Sequence, residues 1–187
     1  MTRQTVGIIV GSNRRESINR RLALALAKLA SDRLDFVWVR IDDLPMYNQD
    51  LEGARPEVVG RFTSEVGALR ALLFVTPEHN RSVPAVLKNA IDWGSKPTDQ
   101  SVWRGKTAAI TGTANGGIGT AVAQQHLRAI LGDLGVTVMG GEAYITFKPE
   151  PVDAEGNFLD DSRRSFCRAY MDQFASLVQR LASPPGA

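Results

Sequence analysis

Short runs of continuous apolar residues alternate along the chain with longer segments whose apolar residues recur at helical spacing. The runs cover Thr5 to Val10, Phe36 to Ile41, Ala71 to Thr76, Thr107 to Thr111 and Val136 to Met139. A run without a polar side predicts a strand that is covered on both faces. The alternation therefore predicts an open parallel sheet with helices packed against both of its faces.

The helical segments are Ile18 to Ala30, Arg55 to Leu69, Val83 to Trp93, Ile118 to Leu134 and Asp160 to Leu181. Five strands favour an α/β, flavodoxin-like three-layer sandwich with the parallel strand order 2-1-3-4-5, built as one domain over residues 1–187. A ligand of such a sheet binds beyond the carboxyl ends of the strands, where the strand order reverses. The loops after the first, third and fourth strands are therefore the predicted site.

Charge and cysteine content exclude several function classes. Lys and Arg number 22 against 20 Asp and Glu, which is too balanced to indicate nucleic-acid binding and untypical of an acidic electron carrier. The single cysteine, Cys167, rules out an intrachain disulfide, a four-cysteine zinc site and a cysteine-ligated iron–sulfur cluster. No apolar run is long enough for a signal peptide or a membrane span, so we expect a cytoplasmic protein without a membrane partner.

The loop after the first predicted strand carries the residues of a phosphate site. It reads Gly11-Ser12-Asn13-Arg14-Arg15-Glu16-Ser17-Ile18-Asn19 and leads into a helix, whose N-terminal N–H groups attract anions. Taken alone, Ser17 is better interpreted as a helix cap. Together, the hydroxyls, the arginines and the helix N-terminus favour phosphate.

The pattern of this loop narrows the kind of phosphate ligand. A dinucleotide loop has Gly-x-Gly-x-x-Gly, whereas this one has Gly11 alone, and without those glycines Asp42 and Asp43 are better interpreted as ordinary loop acids than as ribose ligands. A Walker-type Gly-Lys-Ser/Thr is also absent. Hydroxyls combined with arginine suit a terminal monophosphate such as that of FMN.

Two motifs in these loops resemble the NADPH-dependent FMN reductase family, which includes bacterial quinone and chromate reductases. The first is Gly11-Ser12-x-Arg14-x-x-Ser17-x-Asn19, and the more specific one extends from Pro77-Glu78-x-Asn80-x-Ser82 to Leu87-Lys88-Asn89-Ala90-Ile91-Asp92-Trp93. The glycine-rich loop from Gly112 to Gly119 is a weak signal alone, but the family has a comparable loop there.

The resemblance implies FMN as cofactor and assigns residues to it. The phosphate positions match Ser12, Arg14, Ser17 and Asn19. The residues against the isoalloxazine ring match Pro77, Glu78, His79 and Asn80, and those beside the flavin after the fourth strand match Thr113, Ala114, Asn115 and Gly116. Glu16 and His79 depart from the family pattern, which has a small residue and a Tyr there. The position of Arg81 often has Tyr in the family. We hypothesise that Arg81 attracts the NADPH phosphate or an anionic acceptor. The equal alternative is that Arg81 is simply solvated at the loop tip.

The implied activity is hydride transfer from NADPH or NADH to bound FMN, followed by reduction of a quinone, azo dye, free flavin, ferric chelate or chromate in a ping-pong mechanism. The flavin carries this chemistry, so no catalytic acid or base and no metal site are predicted. The resemblance also implies a homodimer or homotetramer. Two alternatives stay open: a flavodoxin-like electron carrier without NAD(P)H activity, and a phosphate-binding regulatory domain without flavin.

Overall fold

Six parallel strands form the sheet of the computed structural model, which describes residues 3–182. The strands are β1 (Gln4–Val10), β2 (Leu34–Trp38), β3 (Ala71–Val75), β4 (Thr107–Ala114), β5 (Thr137–Val138) and β6 (Tyr144–Thr146). Their order is β2-β1-β3-β4-β5, with β6 also paired to β4. The predicted flavodoxin-like order 2-1-3-4-5 is therefore confirmed.

Within residues 3–182, five α-helices cover the two faces of this sheet. They are α1 (Ile18–Leu29), α2 (Glu57–Gly67), α3 (Ala85–Gly94), α4 (Ala121–Asp133) and α5 (Asp161–Ala182). One apolar core joins α1 and α5 to the sheet, and a second joins α2, α3 and α4 to the opposite face. None of the helices within residues 3–182 is long and apolar enough to cross a membrane.

The predicted fifth strand is divided into two short strands on the same edge of β4. Thr137 lies beside Thr107 at one end of β4, whereas Ile145 lies beside Thr113 at the other end. Between them the chain leaves the sheet, and the Arg128 guanidinium donates hydrogen bonds to the carbonyls of Met139 and Gly141. The predicted fifth strand beginning within Val136 to Met139 is thus confirmed at Thr137–Val138, and Arg128 satisfies carbonyls where the chain departs from the sheet before β6.

Several element boundaries also differ from the sequence prediction. Strand β4 extends to Ala114 because β6 pairs with its last residues, and α4 begins at Ala121 rather than Ile118. Helix α3 begins at Ala85, with Pro84 as its extended N-cap residue. Strand β2 lies earlier than predicted, at Leu34–Trp38. Thr113 and Ala114 are consequently strand residues at the edge of the site, not loop residues.

The carboxyl ends of β3 and β4 approach each other closely at Thr76. A Cβ atom added to Gly112 would lie 1.9 Å from the backbone oxygen of Thr76. On the other side, a Cβ atom added to Gly11 would lie 2.6 Å from the Thr76 hydroxyl oxygen. Glycine fits best at both positions. The ends of β1, β3 and β4 converge on Thr76 because Gly11 and Gly112 have no side chain.

We predict that Gly112→Ala lowers the free energy of unfolding by about 1–3 kcal/mol, since a methyl group cannot enter that space without moving the backbone. Gly132→Ala on α4 is the matched control, because no heavy atom lies within 4 Å of the added Cβ. Denaturant unfolding of both variants checks this. Equal stability of the Gly112 variant and the wild-type protein would contradict the close approach.

Candidate functional site

The loop between β1 and α1 places its side chains at the carboxyl end of β1. Ser17 is the N-cap of α1, and its hydroxyl accepts a hydrogen bond from the Arg20 N–H at 3.2 Å. The Ser12 hydroxyl accepts from the Arg14 N–H at 3.4 Å. Arg14, Arg15 and Glu16 are exposed. Ser17 thus acts as a helix cap while Ser12 and Arg14 border the open face of the loop.

Asn19 connects this loop to β4. Its side-chain amide donates to the Thr113 carbonyl at 2.9 Å, and its side-chain oxygen accepts from the Thr113 N–H at 2.9 Å. Asn19 and Thr113 are both buried. The Asn19 side chain therefore satisfies backbone groups at the end of β4 that water cannot reach. The direct role of Asn19 is therefore to position the first loop against the fourth strand.

The loop after β3 contains a two-residue hairpin turn. His79 and Ser82 exchange backbone hydrogen bonds, with the His79 N–H donating at 3.0 Å and the Ser82 N–H at 2.9 Å. The two residues between them have positive φ, 50° at Asn80 and 62° at Arg81. Two positive φ angles indicate a type I′ turn, which suits Asn but places Arg81 in an unfavourable backbone region. This turn projects the polar tip of the loop beyond the sheet.

Glu78 connects the same loop to α4. One of its carboxylate oxygens accepts from the N–H groups of Val122 at 2.9 Å and Ala123 at 3.1 Å. These groups belong to the first turn of the helix, where unpaired donors and the helix dipole favour an anion. The other carboxylate oxygen receives a hydrogen bond from Arg81 at 3.2 Å. The Glu78 side chain therefore fixes the loop after β3 to the start of α4. The backbone of Glu78 is left to contact a ligand.

The end of β4 and the glycine-rich loop after it complete the site. The Thr113 hydroxyl oxygen is buried and has no hydrogen-bond partner among the described residues. Asn115, Gly116 and Gly117 are exposed, and a Cβ atom at either glycine would meet nothing within 4 Å. An unsatisfied buried hydroxyl beside an open glycine loop is a place where a ligand could supply the missing partner.

All the sequence-predicted site residues thus lie in or beside three loops at one edge of the sheet, and two side-chain connections join those loops. Sequence analysis missed the connecting roles of Asn19 and Glu78, since a tertiary hydrogen bond leaves no periodic signal. It also missed Trp38 and Arg20, which line an adjoining groove and were interpreted only as strand and helix residues. Cys167 is buried in α5, and this burial raises the pKa of its thiol to about 12.

Comparison with known proteins identifies the family. The sequence profile of the NADPH-dependent FMN reductase family matches residues 4–150. The chain belongs to this family. A 2-hydroxy-1,4-benzoquinone reductase from a Burkholderia species is 45% identical over 175 residues, covering 93% of this chain and 96% of the relative. A quinone reductase from Pseudomonas putida is 46% identical, covering 94% of this chain and 95% of the relative.

A solved structure supports the same conclusion. The flavoenzyme NAD(P)H:(acceptor) oxidoreductase FerB from Paracoccus denitrificans has a TM-score of 0.90 and 41% identity to this chain, covering 95% of this chain and 98% of FerB. This member of the FMN reductase family is accordingly an FMN-dependent NAD(P)H oxidoreductase. The resemblance seen in the two loop motifs is confirmed.

We predict that Asn19→Ala lowers the free energy of unfolding of this reductase by about 2–3 kcal/mol, because it leaves the buried N–H and carbonyl of Thr113 without partners. Asn13→Ala is the matched control, since Asn13 is exposed on the same loop. Urea denaturation of the two variants gives the comparison. If both variants were equally stable, the Asn19 connection would not be holding the loop.

For the hairpin turn, we predict that Arg81→Gly is more stable than Arg81→Ala by about 1 kcal/mol. Both substitutions remove the hydrogen bond to Glu78, but only glycine relieves the positive φ of 62° at this position. Thermal unfolding of the pair measures the difference. The reverse order would argue against the left-handed backbone at Arg81.

Proposed function

We propose that this single-domain enzyme holds FMN across the three loops, with the FMN phosphate at the loop after β1 and the flavin ring against the loops after β3 and β4. The proposal rests on one observation: side chains join these loops at the point where the strand order reverses. Asn19 joins the loop after β1 to β4, and Glu78 joins the loop after β3 to α4. Loops connected in this way are preorganised for a ligand that spans them.

The first loop has the donors that a phosphate requires. Arg14 is exposed and forms no ion pair within residues 3–182, so its guanidinium is available for a phosphate dianion. The N-terminus of α1 adds backbone donors and a favourable dipole. Ser12 and Ser17 retain their hydroxyl protons as donors, and Asn19 holds the loop in place from behind.

The other two loops suit a flat ring. The hairpin at Asn80 exposes backbone beside Pro77 and His79, and Glu78 keeps this segment close to α4. At the end of β4 and in the loop after it, the unpartnered hydroxyl of Thr113 and the open backbone of Gly116 are available to the ring or its side chain. Ala114 and Asn115 lie between them. These residues have the small side chains and backbone polar groups that a flavin ring requires.

Bound FMN supplies the hydride-accepting and electron-donating chemistry, while the protein provides position and polarity. Because one open cleft would serve both NAD(P)H and the acceptor, we expect the two substrates to bind in turn and to give ping-pong kinetics. The two quinone reductases at 45% and 46% identity support a quinone as acceptor. Arg81, whose side chain is 68% exposed at the hairpin tip, is proposed to attract an anionic acceptor or the NADPH phosphate.

We also propose a cytoplasmic homodimer or homotetramer assembled through α3 and α4. A shallow cavity of about 540 Å³ lies between these helices. Its walls combine small and apolar side chains with a few polar ones. The lining residues are Ser82, Val83, Ala85, Lys88, His126, Ala129 and Ile130. Such a surface suits helix–helix contact between copies of the chain.

Anaerobic mixing of the FMN-loaded protein with NADPH tests the function directly. We predict rapid bleaching of the visible flavin absorption, and its return when a benzoquinone is added. An electron carrier would bind FMN but bleach slowly, and a phosphate-binding regulatory domain would not retain FMN at all. Either of these results would contradict the proposed function.

A further inference from the structure

A groove beside the proposed FMN site shares Ser12 and Arg14 with the proposed phosphate loop, but its other lining residues have no part in the function described so far. It has a volume of about 410 Å³ and crosses the carboxyl ends of β1 and β2. We call it the β2 groove; its lining residues are Val10, Ser12, Asn13, Arg14, Arg15, Arg20, Trp38, Val39, Arg40, Ile41 and Asp42. A second cavity of about 370 Å³ adjoins it and shares Arg15, Arg20 and Trp38. None of these residues belongs to the loops after β3 and β4.

Trp38 provides the β2 groove with an aromatic surface. It is 41% exposed, whereas Trp93 and Trp103 are fully buried in the core. The Arg20 guanidinium lies over its ring, 4.8 Å from the ring centroid. A tryptophan at the surface with a stacked arginine is a platform on which a planar base can pack.

The charges in the β2 groove favour an anion. Within residues 3–182, Arg14, Arg15 and Arg20 form no ion pair. Asp42, the carboxylate that lines the groove, is bound by Arg40 at 2.9 Å. This hydrogen bond is the main cause that lowers the pKa of Asp42, and the charge of Arg20 adds to it. With Arg14 assigned to the FMN phosphate, the guanidinium groups of Arg15 and Arg20 remain available to a ligand of the groove.

The position of the groove limits what its occupant can be. Strand β1 separates it from the loops after β3 and β4, where the reacting ring is proposed to lie. A small acceptor bound in the groove would be remote from that ring. An occupant that also reacts must be long, with a planar and anionic end that takes no part in the chemistry. Such a remote group contributes binding energy and specificity.

We propose that the β2 groove binds the adenosine 2′-phosphate end of NADPH, with Arg15 and Arg20 contacting the phosphate and Trp38 packing against the adenine. This inference rests on the proposed function and adds a preference for NADPH over NADH, which lacks this phosphate. Arg81 is a weaker candidate for the same phosphate, because Glu78 already receives a hydrogen bond from its guanidinium.

Binding of adenosine 2′,5′-bisphosphate and of 5′-AMP to the FMN-loaded protein tests the groove without turnover. We expect the bisphosphate to bind at least about ten-fold more tightly than 5′-AMP, because its 2′-phosphate adds one charge-assisted hydrogen bond. Because Trp38 is the exposed tryptophan, its fluorescence should change on binding, and Trp38→Phe should abolish that change. Equal affinity for the two nucleotides would overturn the proposal.

The double variant Arg15→Ala/Arg20→Ala provides the specific test, and both side chains are exposed, so folding is not at risk. We expect the preference for the bisphosphate to disappear and the KM for NADPH to rise about ten-fold, with the KM for NADH and the affinity for FMN unchanged. Arg164→Ala, which removes an exposed arginine of α5, is the matched control and should behave as the wild-type protein.

Two results would overturn the inference: an equal rise in KM for NADPH and NADH, or a loss of FMN affinity, which would assign the groove to the FMN site. Failure of the proposed function looks different. In that case NADPH would not bleach the bound flavin, while preferential binding of the bisphosphate and its loss in the double variant would still establish the phosphate site.

Discussion

The side-chain amide of Asn19, paired with both backbone polar groups of Thr113, is the interaction on which the site depends. It is buried and joins the loop after β1 to the end of β4, across the intervening strand β3. Without it, two buried backbone groups would lack partners, at a combined cost of about 2–3 kcal/mol. Glu78 makes the equivalent connection from the loop after β3 to the first turn of α4. Together they turn three separate loops into one surface.

The sheet determines where this surface lies, and small residues determine how compact it is. All the strand pairings are parallel among the described residues, so their carboxyl ends meet at one edge. Gly11 and Gly112 then allow Thr76 to lie between β1 and β4 without a clash. The same loop after β1 also borders the β2 groove, so one loop faces two neighbouring binding regions.

Much of this could be predicted from the sequence, because apolar runs and parallel-sheet topology together determine which loops meet. The family motifs in the first and third loops identified the family correctly. The roles of individual residues were harder. Asn19 and Glu78 match ligand positions by motif, yet their side chains connect loops, and only tertiary structure reveals such partners. The second half of the divided edge strand, β6, escaped prediction because three residues carry almost no periodic signal.

The position of Glu16 illustrates the same limit. Glu16 departs from the small residue of the family pattern, and its side chain is exposed and lines the cavity beyond Ser17 rather than the β2 groove. The spacing of residues along a loop does not determine the direction of each side chain. In this loop Ser17 caps α1, next to Glu16 in the sequence.

The central claim is that the three connected loops form one FMN-binding surface, and titration of the apo protein with FMN, followed by backbone amide NMR, tests it most directly. We predict that the largest shifts occur together in residues 11–19, 77–82 and 113–117, with one common dissociation constant. Shifts confined to a single loop, or centred elsewhere on the sheet, would contradict the account.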